Sequence, residues 1–267
     1  MFASLILLTG GGLYETLTDI KPDVIIHCAG NTGIQSSVEY PAYDFTSSVT
    51  LSHNLMFSLH KLNLTHTRFI FLSSAGVYGS PKTLPISEDS QLSPLSPYAL
   101  HKTMCEQMCM YFAANYGMDV KIARIFSAYG AGLKRQIFWD MFRKYRKTGR
   151  LDLFGTGQES RDYIHVDDVA QALYLLAVKD FGAIICNVAN GQEITIRRAA
   201  ELFADCAGLS RDNIHFNGVI REGDPLNWCA DITRLNSLGY KKTVELEDGL
   251  RDYFTWASSL QQHSTKI

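Results

Sequence analysis

The sequence predicts a doubly wound α/β fold built on a parallel sheet, and three observations carry that reading. Apolar runs recur at "DVIIHCA" (23–29), "RFIFLSS" (68–74), "VKIARIF" (120–126) and "AIICNVA" (183–189). They are continuously apolar rather than alternating, the pattern of parallel strands covered on both faces. Helical stretches near 41–62, 98–116 and 166–178 separate them, giving the strand–helix alternation of a βαβ chain. With 267 residues, 46% of them apolar, the chain can bury one large core or two closely joined ones.

The opening stretch, "LILLTGGGLYETLTDIKPDVIIHCAG" (5–30), has the outline of a nucleotide-binding start: an apolar strand, a glycine turn, then a helix. Its glycines at 10, 11 and 12 are contiguous, so neither G-x-G-x-x-G nor G-x-x-G-x-x-G can be laid over them. "MFASLILL" has no basic leader and no small-residue cleavage pattern, so it reads as a buried strand rather than a targeting signal. Between 75 and 97 runs "AGVYGSPKTLPISEDSQLSPLSP", a long loop rich in Pro, Ser and Gly at the end of a strand. Open α/β sheets place their ligands at such ends, and loops of this length in compact domains are usually functional. Beyond residue 190 the pattern turns helix-rich: "TIRRAAELFADCAG" ends on a glycine cap, and "LEDGLRDYFTWASSL" closes the chain.

A formal charge of −2 gives no reason to expect nucleic acid or an anionic membrane as partner. No run nears the roughly 18 apolar residues of a membrane span. Six cysteines (28, 105, 109, 186, 206, 229) are scattered without C-x-x-C spacing, so buried free thiols in a reducing cytoplasm are expected. His101, Cys105 and Cys109 recur every four residues along one helix. Three ligands stacked on one helix face do not converge on a tetrahedral ion, so packing accounts for them and no metal is expected.

Tyr98 and Lys102 stand four apart in "SPYALHKTMCEQMCMYF". Pro97 suits a first helical turn, and a Lys one turn beyond a Tyr shares its face. An ammonium near a phenol favours the phenolate, as a general base at neutral pH requires. Moving a Tyr pKa from about 10 to about 7 takes roughly 4 kcal/mol of differential stabilisation. Taken alone, the spacing equally describes a half-exposed surface pair. Tyr78 and Lys82 repeat it, but Gly79 and Pro81 intervene there, so those two do not share a helical face.

The surrounding motifs supply the context: "DVIIHCAG" (23–30), "SSAGVYG" (73–79), "SPYALHK" (96–102), "ARIFSAYGAG" (123–132), "LFGTGQESRDYIHVDDVAQAL" (153–173) and "REGDPLNWCADIT" (221–233). In this order they resemble the extended short-chain dehydrogenase/reductase family, in particular its NAD-dependent nucleotide-sugar epimerase/dehydratase group, from about residue 13 to 257. The resemblance implies a Rossmann-like domain over 1–130 and 158–189, and a smaller α+β substrate domain over 131–157 and 190–267. It implies NAD or NADP as cofactor and a nucleotide-sugar as substrate. Ser74 would hydrogen-bond the reacting sugar oxygen. Tyr98 would exchange the proton of a sugar hydroxyl as its carbon gives hydride to the nicotinamide. Lys102 would lower the Tyr98 pKa and hold the nicotinamide ribose. His27, Ala29 and Gly30 would end the strand lying along the cofactor. Arg161 and Arg221 would grip the substrate pyrophosphate, with Asp224 and Ser127 as further substrate contacts; a planar, permanently charged fork suits that task. The bland alternative for each arginine is a surface salt bridge, and "ESRDYIHVDD" and "REGD" hold acids enough for it.

Departures from the family pattern narrow the expectation. Dehydratases of the group carry an acid and a base directly after the serine or threonine; here Ala75 and Gly76 stand there. Loss of the C6 hydroxyl then has no obvious agents, and a 4-epimerase or 4-ketoreductase of surface polysaccharide precursor synthesis is expected. Ser127 and Ser48 replace family asparagines, so the sugar is not specified. Only 12 residues separate Gly10 from Asp23, while a single βαβ unit needs about 30 or more. The expectation is therefore an N-terminally shortened fold lacking its first βαβ unit, with the adenine-side motif outside the sequence. The alternative is a catalytically silent member that binds a nucleotide-sugar or partner without tight NAD binding. The helix at 98–116, apolar on more than its core face, and that at 41–62 are expected to build a homodimer. The basic helix "GLKRQIFWDMFRKYRKTGR" (132–150) is expected to flank the nucleotide-sugar entrance.

Overall fold

The computed structural model describes residues 10–180, 182, 184–219 and 226–262. The expected strand at "LILL" therefore lies outside the described residues, as do Arg221 and Asp224. In chain order the elements are α1 (Gly10–Ile20), β1 (Val24–His27), α2 (Ile34–Glu39), α3 (Pro41–Phe45), a π-helical turn (Thr46–Thr50), α4 (Leu51–Lys61), β2 (Arg68–Ser74) and a 3-10 turn (Ala75–Tyr78). Then follow α5 (Pro97–Tyr116), β3 (Val120–Ile125), β4 (Ser127–Tyr129), α6 (Gln136–Thr148), β5 (Leu151–Leu153), β6 (Ser160–Arg161), β7 (Tyr163–His165) and α7 (Val166–Val178). The chain closes with β8 (Ile185–Val188), β9 (Ile194–Thr195), α8 (Ile196–Ala207), β10 (Ile214–Phe216), α9 (Thr233–Ser237) and α10 (Leu246–Gln262).

Among the described residues the main sheet runs β1-β2-β3-β8. β1 pairs parallel to β2 from Val24↔Arg68 to His27↔Phe71, and β2 parallel to β3 from Phe69↔Val120 to Ser74↔Ile125. The α/β fold with a parallel sheet is thus the one the apolar runs predict. β2 lies between β1 and β3, and Phe69, Ile70 and Phe71 are at most 1% exposed, because helices cover both of its faces. β1 departs from the expected full burial: Ile26 is 42% exposed.

The chain divides into two compact units: Met1–Gly79, Glu88–Ile125 and Leu173–Asn187 form one, and Ser80–Ser87, Phe126–Ala172 and Val188–Ile267 the other. Residues 80–87, 126–130, 158–172 and 188–189 thus fall in the second unit, where the sequence division counts them with the first. The first unit's core joins Leu13 and Leu17 of α1, Leu55, Met56 and Leu59 of α4, Phe69 and Phe71 of β2, Cys105, Cys109 and Phe112 of α5, and Ile122 of β3. Each such side chain taken from water contributes about 1.5–3 kcal/mol. The i, i+4 spacing of Leu13 and Leu17 puts both on the buried stripe of α1. Arg68 ties the lower edge: its Nε donates to Asp119 at 2.7 Å, and its Nη1 to the carbonyls of Ala177 and Lys179 at 3.1 and 3.0 Å. The carbonyls that end α7 are thereby satisfied.

The second unit is built on an aromatic core of Tyr129, Phe138, Phe142, Phe203 and Tyr253, from α6, α8, α10 and the short pairs β4·β7 and β5·β10. α8 ends on the predicted glycine cap, Gly208 at φ 62°, and at its start Thr195 Oγ1 accepts the Arg198 N–H. β5, β6, β9 and β10, of two or three residues each, are too short to leave a periodic trace in the sequence.

Two glycines share a positive φ but differ in ψ, −123° at Gly79 and 25° at Gly117, and in surroundings. Gly79 (φ +63°) would set a Cβ 2.0 Å from the Ser93 carbonyl oxygen, whereas at Gly117 (φ +65°), which caps α5, nothing lies within 4 Å. Gly117→Ala is expected to cost about 1 kcal/mol from the left-handed backbone alone, and Gly79→Ala at least about 2 kcal/mol more. Urea unfolding of both variants checks the difference.

Candidate active site

The C-terminal end of β2 and the first turns of α5 carry the candidate chemistry, all within the first unit. α5 starts where the sequence says: Ser96 Oγ accepts the Ala99 N–H at 3.3 Å and Pro97 occupies the first turn. The Tyr98 N–H, another donor left over at a helix start, goes to Ser37 Oγ of α2 at 3.0 Å. Asp44 of α3 holds His101 through a close contact of its Oδ2 with Nδ1, and accepts Asn31 Nδ2 through Oδ1 at 2.7 Å. His101 and Asp44 are 8% and 0% exposed. Segment 31–45 thus fixes the helix end that presents Tyr98.

Tyr98 is half-buried, and Lys102 is 6% exposed. Lys102 Nζ donates to the Leu72 carbonyl at 2.8 Å and sits 4.8 Å from the Phe71 ring centre and 5.8 Å from that of Tyr98. Burial pushes the Lys102 pKa down, against the opposing pull of Cys105 and Asp44. Ser74 Oγ accepts the Gly76 N–H at 3.1 Å. Gly76 lies against both candidates: a Cβ built there would be 3.4 Å from Ser74 Oγ and 3.9 Å from Tyr98 Cε1. Ser74, Tyr98 and Lys102 are therefore brought together.

Beneath them lies a network that sequence reasoning missed. Glu106, 0% exposed, accepts Ser73 Oγ at 2.5 Å and the Arg124 guanidinium at 3.0 and 3.2 Å through Nε and 2.7 Å through Nη2. Arg124 Nη1 donates to Tyr78 Oη at 2.9 Å and the Glu88 carbonyl at 2.8 Å, and Tyr78 Oη donates to Asn187 Oδ1 at 2.6 Å. Burial opposes the Arg124 charge, but the bonds and charge of Glu106 outweigh it and hold its pKa above the ordinary value. Burial likewise raises the Tyr78 phenol, Arg124 opposing. The available signal was the spacing: Glu106 stands four beyond Lys102 and eight beyond Tyr98.

At the end of β1, His27 turns its ring into the core, 4% exposed, against Phe69 and Phe71, with Nε2 3.0 Å from Ser52 Oγ. Ala29 and Gly30 are half-buried. Gly30 (φ +130°) approaches the π-helical turn so closely that a Cβ would meet Ser48 Oγ at 3.3 Å. Ser48 Oγ is itself buried with no hydrogen-bond partner among the described residues. An orphaned hydroxyl beside a glycine cradle fits a bound polar group such as a dinucleotide, and Lys102 adds a cation whose bonding uses one of three N–H donors.

The second unit holds the remaining candidates. Ser127 is half-buried on β4, its N–H bonded to the Asp162 carbonyl. Arg161 on β6 donates to the carbonyls of Ser160 at 2.7 Å and Leu226 at 3.3 Å, and its guanidinium lies 5.5 Å from the Trp228 ring centre. Of the acids near Arg161 in sequence, Asp162 accepts the backbone N–H groups of Asn190, Gly191 and Ala230, and Glu159 those of Thr156 and Gly157. Cys105 and Cys109 pack in the core, but Cys28 is exposed, contrary to the expected burial, because it lies just past the last paired residue of β1.

A parallel α/β sheet with a Tyr and Lys one turn apart facing a strand-end serine defines the short-chain dehydrogenase/reductase class of enzymes. The chain belongs to the NAD dependent epimerase/dehydratase family, whose profile matches residues 2–189. It is 31% identical over 245 residues to a UDP-glucose 4-epimerase of Mycolicibacterium smegmatis, covering 88% of this chain and 75% of that one. It is 30% identical over 255 residues to a GDP-6-deoxy-D-mannose reductase of Pseudomonas aeruginosa, covering 90% and 82%. Among solved structures, UDP-glucuronic acid 4-epimerase from Bacillus cereus in complex with UDP-glucuronic acid and NAD superposes with a TM-score of 0.87 at 25% identity, over 97% of this chain and 82% of that one. Among the described residues no helix is long and apolar enough to cross a membrane.

Burial, aided by the Lys102 charge, lowers the His27 pKa to about 4. Between pH 6.5 and 4 the unfolded chain takes up the proton that the folded one refuses, so stability falls as the pH drops through that window. His27→Gln lacks this proton uptake. The stability advantage of wild type over the variant is expected to shrink by about 2 kcal/mol from pH 7.5 to 5, read by urea unfolding at each pH.

Proposed function

We propose that this chain is a nucleotide-sugar 4-epimerase or 4-ketoreductase using NAD or NADP, acting in the supply of activated sugars for surface polysaccharide. The observation that carries the reading is the meeting of Ser74 and Tyr98 at Gly76, with the Lys102 ammonium 5.8 Å from the Tyr98 ring centre. The Ser74 hydroxyl hydrogen-bonds the reacting sugar oxygen, and the Tyr98 phenol takes or returns the proton of the sugar hydroxyl as its carbon loses or regains hydride. Lys102 stays close enough for its charge to favour the phenolate, and its two unused donors can reach the ribose of the nicotinamide cofactor. That cofactor, when bound, supplies the reversible hydride acceptor. Gly30 and Ser48 make room for it and bond it, Ala29 lines the same strand end, and the contribution of His27 falls to its backbone, since its ring is buried.

Arg161, Ser127, Arg221 and Asp224 serve the nucleotide-sugar in this reading; the Arg161 guanidinium lies over an indole, and a planar charged fork suits a diphosphate. Ala75 and Gly76 offer no carboxylate beside Ser74, which favours epimerase or reductase chemistry over dehydration. The names of the relatives, a UDP-sugar epimerase and a GDP-sugar reductase, support both branches.

Purified protein with NAD(P) and UDP-, GDP- and dTDP-hexoses is expected to interconvert isomers or to oxidise NAD(P)H. Tyr98→Phe should lower kcat about a hundred- to ten-thousand-fold while nucleotide-sugar binding persists. Absence of turnover with every sugar overturns the reading. A homodimer is part of the proposal: Phe57 on α4 and Met110, Tyr111 and Tyr116 on α5 are 39%, 37%, 55% and 38% exposed. Sedimentation is expected to give twice the chain mass, and Tyr111→Glu to shift it toward the monomer.

A further inference from the structure

We infer that Ser73 is a positioning residue: through its bond to the Glu106–Arg124 pair it sets the direction of the neighbouring Ser74 hydroxyl. The inference rests on the proposed role of Ser74 as the group that meets the reacting sugar oxygen.

The geometry is specific. Successive side chains of a strand point to opposite sides, so a Ser73 hydroxyl locked inward leaves Ser74 the outward direction. Ser73 is 4% exposed and Ser74 half-buried, as this alternation requires. Ser73 Oγ donates to Glu106 Oε1 at 2.5 Å, and both oxygens of that carboxylate are also bonded by Arg124 of β3. One residue earlier, the Leu72 carbonyl accepts Lys102 Nζ at 2.8 Å. Tyr98, Lys102 and Glu106 lie at i, i+4 and i+8, about 6 Å of helix rise per step. The face of α5 that presents the phenol thus also grips two consecutive residues of β2, and the third residue in that row is Ser74.

Ser74 has its own anchor, the Gly76 N–H at 3.1 Å, but this lies on the loop side. Its strand side is fixed by the ladder to β3, which ends at Ser74↔Ile125, and by what holds Leu72 and Ser73. A carboxylate with no exposed surface cannot drift toward water, and the bidentate arginine fixes the plane of its oxygens. The Ser73 hydroxyl is therefore held at a stated point rather than in a range of rotamers, and the strand end inherits that precision. A misplacement of about 1 Å at a reacting group costs up to about a hundredfold in rate.

The test is a double-mutant cycle on the full chain with the sugar that wild type turns over. Ser73→Ala is expected to lower kcat about tenfold with KM within about twofold of wild type and the melting midpoint within a few degrees. Ser73→Cys, of similar size with a weaker donor, should fall between wild type and Ser73→Ala, and serves the same comparison should the alanine variant fold poorly. Because Ser73 acts through Ser74, the double variant Ser73→Ala/Ser74→Ala should be no slower than Ser74→Ala alone. Wild-type kcat in Ser73→Ala, or losses that multiply in the double variant, overturn the inference while the proposed function stands. A wild-type chain without turnover overturns both.

Discussion

A carboxylate and a guanidinium, both shut away from water, hold the first unit in its working form. Removing either ion from solvent costs several kcal/mol, and such a pair persists only where its geometry is good and its remaining donors and acceptors are matched. Here they are: Glu106 is bonded by Ser73 and Arg124, and Arg124 also by Tyr78 and the Glu88 carbonyl. The partners come from β2, the 3-10 turn, the loop before α5, α5 itself and β3. The long segment 75–97 therefore does not hang from its ends; it is stitched at Tyr78 and Glu88 to the middle of the sheet.

The same logic explains why Tyr98 and Lys102 can sit where they do. Lys102 is nearly enclosed, and among the described residues its hydrogen bond goes to a backbone carbonyl rather than to a carboxylate. A cation in that condition is poised to interact with whatever anion or polar ligand arrives. Asp44 is near enough to favour the charge but is occupied by His101 and Asn31. The protein thus separates two tasks on one helix: Glu106 is neutralised and rigid, Lys102 is held by strand and ring and left available.

The π-helical turn at Thr46–Thr50 belongs to this arrangement. A wide turn of helix interrupts the usual bonding ladder, and it occurs where Gly30 presses against Ser48. The Ser48 carbonyl is taken by Ser52 Oγ at 2.7 Å and approached by Cys105 Sγ at 3.6 Å, while its hydroxyl stays unbonded. That hydroxyl lies 3.3 Å from where a Cβ on Gly30 would stand, so its donor and acceptor sit beside the glycine.

The sequence by itself determined the parallel α/β fold, because continuously apolar strands have few other ways to be buried, and it determined the ends of α5 and α8, because capping is local chemistry between residues three apart. Motif order along the chain also marked Ser74, Tyr98 and Lys102 as candidates, and the fold brings them near one another. Only the tertiary structure decided which polar residues would be internal. Glu106 and Arg124 are 18 residues apart, and Asp44 and His101 are 57 apart; read singly, each resembles a solvated charge or a helix-surface residue. Their pairing depends on strand register and helix rotation, which no local pattern encodes. The same holds for Asp162, which follows an arginine in sequence yet ends among backbone N–H groups contributed from residues 28, 29 and 68 positions away. Burying a charge is favourable only once its partners are in place, so its position is set by the finished fold and not by the chain's local preferences.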